Sequence, residues 1–133
     1  MDLIKSIPES HGYTCFLVPA ASSLELNDEI AKISSTELQQ ICLSKGWKLE
    51  FVKIDAQYLQ WAISVEQTVT VRDIILQVRS DLNKKILSVF KKQDLSPPPN
   101  YWAGGYLLLH GLIPDPKEVI ERYILLIRRQ SPQ

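Results

Sequence analysis

Residues 57–65, QYLQWAISV, alternate strictly between apolar and mixed positions. In an extended chain Leu59, Trp61, Ile63 and Val65 fall on one side, and Tyr58, Gln60, Ala62 and Ser64 on the other. That period predicts a strand with one face in a core. The preceding segment 47–54, WKLEFVKI, predicts a partner strand with Trp47, Leu49 and Phe51 on one face, and Asp55-Ala56 between the two reads as a hairpin turn. Earlier in the chain, 13–19, YTCFLVP, is aromatic and β-branched, and Pro19 ends the predicted strand. Between these strands the period changes. Ile30, Ile33, Leu38, Ile41 and Cys42 recur at helical spacing, Asn27 is placed to cap, and Gly46 suits the position just past the end.

The second half repeats the scheme. Val71, Ile74, Ile75, Val78, Leu82, Ile86 and Val89 form the apolar stripe of a long helix, with Thr70 and Asp73 in a capping-box arrangement. DLSPPPN, 94–100, breaks it, because proline supplies no amide donor and fixes φ. GGYLLLHGL, 104–112, predicts a short strand. Asp115-Pro116-Lys117-Glu118 is a strong helix start, and Val119, Ile120, Tyr123, Ile124 and Ile127 give that last helix an apolar face. SPQ reads as a frayed tail. The order β-α-β-β-α-β followed by a helix predicts an α+β, ferredoxin-like antiparallel sheet with two helices on one face. The last helix or a second subunit would cover the other. With 133 residues, one domain spanning 1–133 is expected.

Composition narrows the classes. The chain is 45% apolar and 23% charged, and lacks the apolar run needed to span a bilayer. MDLIKSIPES has no apolar segment followed by a small-residue cleavage site. Cys15 and Cys42 make no disulfide framework. A cytoplasmic protein is expected. Net charge is zero but unevenly spread: residues 1–71 carry a net −4 and residues 72–133 a net +4. The basic excess includes Lys84, Lys85, Lys91, Lys92, Arg128 and Arg129, which can attract phosphate or simply form solvated helix faces.

Read together in order, several local features resemble the single-tyrosine transposases of the histidine–hydrophobic–histidine type, the small insertion-sequence and REP-associated enzymes. An aromatic strand follows His11, and Lys45-Gly46-Trp47 resembles the family's glycine–aromatic entry into the second strand. The hairpin 47–65 and the helix DIILQVRSDLNKKILSVF follow. Trp102-Ala103-Gly104-Gly105-Tyr106 is similar to the family's tryptophan and glycine–tyrosine, and Tyr123-Ile124 to its tyrosine–isoleucine pair. The resemblance covers about residues 11–127. It implies a homodimer that acts on single-stranded DNA or a hairpin. Its chemistry is attack of a tyrosine hydroxyl on a phosphodiester, giving a 5′-phosphotyrosine, with Mg²⁺ or Mn²⁺ polarising the phosphate.

The same resemblance places the metal pair, two histidines one residue apart on a central strand, at Tyr58 and Gln60, and the third ligand, one turn after Tyr123, at Ile127. A phenol is a poor ligand for Mg²⁺, an amide oxygen a weak one, and isoleucine none. Gln130, about 10 Å along the helix from Tyr123, does not substitute. The resemblance therefore implies a degenerate site with no bound cofactor, an inactive enzyme that retains at most nucleic-acid binding, and a nucleophile position, Tyr123, that also reads as a core aromatic. The alternative is a domesticated dimeric module that binds a protein or small ligand.

For nucleic-acid contact the candidates are Lys84, Lys85, Arg128 and Arg129, with Tyr101 and Trp102 as exposed stacking aromatics after the proline turn. His110 reads as structural and His11 as a surface residue. No zinc spacing and no phosphate-cradling glycine loop occurs, and no catalytic triad is evident.

Overall fold

The computed structural model describes residues 10–66, 70–93 and 95–130. The tail SPQ and Asp94 at the start of the proline-rich break lie outside them, as does the N-terminal MDLIKSIPE. Seven elements follow the expected order: β1 (Ser10–Leu17), α1 (Asp28–Lys45), β2 (Lys48–Asp55), β3 (Tyr58–Glu66), α2 (Val71–Lys92), β4 (Leu107–His110) and α3 (Lys117–Gln130). The sheet has the order β2-β3-β1-β4, each neighbour antiparallel, which is the ferredoxin-like arrangement. The two central strands are β3 and β1.

The alternation of β3 is realised. Leu59, Trp61, Ile63 and Val65 are buried in the main core with Cys15 and Leu17 of β1, under α1 and α2. Each helix contributes the expected stripe: Ile30, Leu38, Ile41 and Cys42 from α1, and Ile74, Ile75, Val78, Leu82 and Ile86 from α2. Burying an aliphatic or aromatic side chain contributes roughly 1.5–3 kcal/mol, so this layer supplies most of the driving force. The Asn27 side chain accepts from the Ile30 N–H at 2.9 Å, and Gly46 ends α1 at φ 76°, as expected for a left-handed cap. Thr70 differs from expectation, since its side chain makes no capping hydrogen bond.

Three boundaries also differ. β1 starts at Ser10 and ends at Leu17, because its pairing with β3 runs back to Glu66. Tyr58 pairs with Asp55, so the hairpin turn is Ala56-Gln57, closed by the Gln57 N–H donating to Asp55 Oδ2. β4 is cut to four residues, with Gly111 at φ 98° bending the chain away immediately afterwards.

On β2, a bulge at Glu50 changes the face of every later residue. Leu49 pairs with Ile63, but Phe51 pairs with Ala62. Val52 and Ile54, not Phe51, therefore join Trp47 and Leu49 against the main core. The Glu50 carboxylate accepts from the Ser64 hydroxyl at 2.6 Å.

The opposite face of the sheet carries Thr14, Phe16, Tyr58, Gln60 and Ala62, and it is covered by the segment after β4 and by α3. Thr14 Oγ1 donates to the Gly111 carbonyl at 2.7 Å and accepts from the Ile113 N–H at 2.8 Å. Gln60 Nε2 donates to the carbonyls of Ile113 and Pro114 at 3.0 and 3.2 Å. Two buried polar side chains on adjacent strands thus hold residues 111–114 across the sheet and set where α3 begins.

Candidate functional site

Tyr58 and Gln60 share the outer sheet face, and α3 brings Tyr123 and Ile127 to it. Val18, Ala103 and Ile127 are the buried members of a small apolar cluster, with Tyr58, Tyr123 and Ile124 packed against it. Phe16 lies beside Tyr58, ring centroids 6.0 Å apart. The residues that sequence reasoning grouped as a degenerate site are therefore neighbours in space, but they meet through ring and methyl groups.

The polar atoms of Gln60 and Tyr123 are committed or enclosed. Gln60 is fully buried, its amide nitrogen holds two carbonyls, and its Oε1 has no partner. The Tyr123 hydroxyl is also buried without a partner. Burial raises the pKa of Tyr123 above the ordinary phenol value, with the Arg79 cation opposing the shift. Burial likewise raises that of Tyr58, with Lys53 opposing and Asp55 and Asp115 adding to it. Both phenols keep their protons at neutral pH.

A divalent cation needs several oxygen ligands, Mg²⁺ six in near-ideal octahedral geometry. Here the positions offer one neutral amide oxygen, one protonated phenol and the methyl groups of Ile127. These residues do not fit the metal that the fold family implies. Among the described residues, no group of three or more histidine, cysteine, aspartate or glutamate side chains is placed to hold a metal ion.

The expected nucleic-acid residues divide. Lys84 and Lys85 are exposed on α2, and Arg129 is exposed on α3. Lys85 lines a shallow groove against Lys32 of α1, away from α3. Arg128 is partly buried and donates to the Pro19 carbonyl at 2.9 Å. Tyr101 and Trp102 correct the expectation of exposed stacking rings: Tyr101 is 0% and Trp102 3% exposed. They belong to a strap, residues 100–105, that pairs with the chain leaving β1. Ala103 N–H donates to the Val18 carbonyl, Ala20 N–H to the Tyr101 carbonyl, and Pro19 bridges Trp102. The Tyr101 hydroxyl donates to the Leu24 carbonyl at 2.9 Å, and its ring meets Trp102 edge-on at 4.9 Å. His110, read as structural, is exposed, with its ring 5.4 Å from Tyr13.

Two residues that sequence reasoning missed organise the strap. Arg79 donates to the carbonyls of Gly104 and Gly105. Asn83 Oδ1 accepts from the Tyr101 N–H at 2.8 Å. Leu76, Arg79, Ser80 and Asn83 stand at i, i+3, i+4 and i+7, a second stripe beside the apolar one on α2, and that spacing is the signal that could have found them.

No protein-family model and no curated protein sequence matches the chain. Solved structures do. A candidate transposase from Deinococcus radiodurans R1 superposes with a TM-score of 0.77 at 17% identity, over 91% of this chain and 93% of that one. The chain has a transposase fold. A REP-associated tyrosine transposase, solved bound to a REP hairpin, matches with a TM-score of 0.56 at 7% identity, over 95% of this chain and 72% of that one. Within this transposase fold, no described helix is long and apolar enough to cross a membrane.

Proposed function

We propose that this is a transposase-like protein that no longer performs metal-dependent strand cleavage and retains at most binding of single-stranded or hairpin DNA. The observation that carries the reading is the character of the outer sheet face. Gln60 and Tyr58 stand where the resemblance expects metal-binding histidines, and Gln60 instead ties down the carbonyls of Ile113 and Pro114. Tyr123 packs beside Val18, Ala103 and Ile127 with its hydroxyl enclosed, and an unactivated phenol is a weak nucleophile. Residual DNA binding draws on the exposed cations Lys84, Lys85 and Arg129, and on the hairpin bound by the REP-associated neighbour. The protein works without a bound cofactor, in the cytoplasm, as a homodimer whose contact includes the exposed Leu125 and Leu126 of α3.

A second reading, a domesticated dimer that binds a protein or small ligand with no DNA role, draws on the zero net charge, since dedicated DNA binders carry a strongly basic face. One assay separates them. A fluorescent single-stranded hairpin is titrated with protein at rising salt, with and without Mg²⁺ or Mn²⁺, and products are run on a denaturing gel. Salt-sensitive binding without cleavage is the expected result. Absence of binding at low salt favours the second reading. A covalent DNA–protein adduct that disappears in Tyr123→Phe refutes the inactive reading.

A further inference from the structure

A cavity of about 290 Å³ lies between α2 and the strap; Ala103 in its wall also belongs to the apolar cluster that holds Tyr58 and Tyr123. Its polar lining is Arg79, Ser80, Asn83 and Asn100, and Trp102 forms an apolar wall. Among the described residues none of its walls is a carboxylate. We propose that this cavity is a binding site for a phosphate ester of about one nucleotide's size.

Three features carry the assignment. First, the cation is held in place. Arg79 gives one terminal nitrogen to the carbonyls of Gly104 and Gly105, which fixes the guanidinium plane at the cavity mouth. The rest of its five-donor fork remains for an oxyanion, the geometry for which arginine is suited. Second, the neighbouring polar groups can donate. Asn83 Oδ1 already accepts from the Tyr101 N–H, so its amide nitrogen is the end presented to a ligand. The Ser80 hydroxyl and the Asn100 amide add further donors on the same rim. One cation and several donors without an acid complement an anion with several acceptor oxygens. Third, the volume falls just below the roughly 300–1,000 Å³ of small-molecule sites, the size of a small ligand, and the buried Trp102 supplies a flat wall. That space admits one nucleotide and excludes a duplex.

The inference stands on the cavity and does not rest on the transposase-like reading. The phosphate can come from a free nucleotide or from a unit of a single strand, and the chemistry recognised is the same. The test is NMR titration of ¹⁵N-labelled full-length protein, following the Trp102 indole N–H and the strap amides. The probes are inorganic phosphate, adenosine 5′-monophosphate, adenosine and a short thymidine oligonucleotide. Shifts with the monophosphate or the oligonucleotide, and none with adenosine at equal concentration, support the site; which of the two binds more tightly identifies the source.

Arg79→Gln should weaken binding about tenfold or more, the scale of a lost charge-assisted pair. Because Arg79 also braces the strap, Ser80→Asp is the second variant: an exposed change that keeps the fold and places a negative charge on the rim. It too should reduce affinity about tenfold. Adenosine binding as tightly as its monophosphate, Ser80→Asp leaving affinity unchanged, or no response to any probe overturns the proposal. Hairpin binding that leaves the Trp102 signal unmoved overturns the cavity while sparing the DNA-binding reading.

Discussion

The Tyr123 hydroxyl can be weighed by a double-mutant cycle with Gly105. The hydroxyl oxygen is sealed from solvent and has no hydrogen-bond partner. Leaving a buried polar group unsatisfied costs about 1–3 kcal/mol. Tyr123→Phe removes that cost and gives up only the hydroxyl's own dispersion contacts, so it should stabilise the fold by about 1 kcal/mol. Gly105 faces the same oxygen. A Cβ built there lies 3.2 Å from Tyr123 Oη and 4.0 Å from Ile127 Cδ1, and its backbone is not in the left-handed region. Gly105→Ala should therefore gain about 0.4–1 kcal/mol from a less flexible unfolded chain, but only if the contact is relieved. In the native background the ring must shift by a few tenths of an ångström, and the gain is cancelled. In the Tyr123→Phe background the obstacle is gone and the gain appears. The cycle should give a coupling energy of about 1 kcal/mol, within the range for residues in contact. Urea unfolding at neutral pH measures it, and constant m-values confirm that only stability changed. A Tyr123→Phe variant destabilised by more than about 1 kcal/mol would refute the reasoning, because it would mean that the hydroxyl has a stabilising partner.

Other expectations follow from single contacts. Burial pushes the Cys15 thiol up to about 12, reinforced by Cys42, and the Cys42 thiol up to about 11, from an ordinary 9.0. Both favour the neutral form in the folded state, so their contribution is complete below pH 9 and is lost as pH rises from 9 towards 11 and 12. Urea midpoints should fall over that window, the fall should be shallower in Cys15→Ala, and native protein should resist thiol reagents at pH 8. Thr14→Val keeps the shape but strands the Gly111 carbonyl and the Ile113 N–H; a loss of about 2–3 kcal/mol and faster amide exchange over 111–114 should result. Gly46→Ala, at φ 76° with nothing near its side, should cost about 1–2 kcal/mol from backbone strain alone, read by thermal unfolding. For the homodimer proposed above, Leu125→Lys with Leu126→Lys should give a monomer by light scattering whose melting temperature no longer rises with protein concentration, since both side chains are exposed in the single chain.

Much of this architecture is legible in the sequence because it follows period. The two faces of β3, the stripe of α2 and the caps Asn27 and Gly46 each depend on a few local residues, and they form as read. What period cannot carry is an inserted residue or a long-range partner. Glu50 looks like one more polar position in an alternating strand. Its bulge is decided by the pairing with β3, and that moves Phe51 off the core face. Tyr101 and Trp102 follow three prolines and resemble an exposed loop. They are buried because Val18, Pro19 and Ala20, more than eighty residues earlier, supply the backbone partners that make the strap a paired segment. The spacing of Arg79 and Asn83 on α2 marks them in the sequence, but their roles are set from afar in the same way, since their partners are strap atoms.

The outer sheet face was legible in a different way. Alternation places Tyr58 and Gln60 side by side, and the resemblance predicts what should stand there. Neither states what a glutamine does once it is there. Its nitrogen bridges two carbonyls at the entry to α3, while Thr14 on the adjacent strand holds the preceding residues. Both side chains are fully buried, so removing either leaves part-buried backbone groups without their partners, at a cost of about 1–3 kcal/mol each, a sizeable share of a domain's stability. Gln60→His would therefore not simply restore a ligand. An imidazole can donate through only one nitrogen while coordinating through the other, so at least one of the two carbonyls would lose its donor. Regaining a metal site on this face requires moving the 113–114 segment as well as changing Tyr58, Gln60 and Ile127.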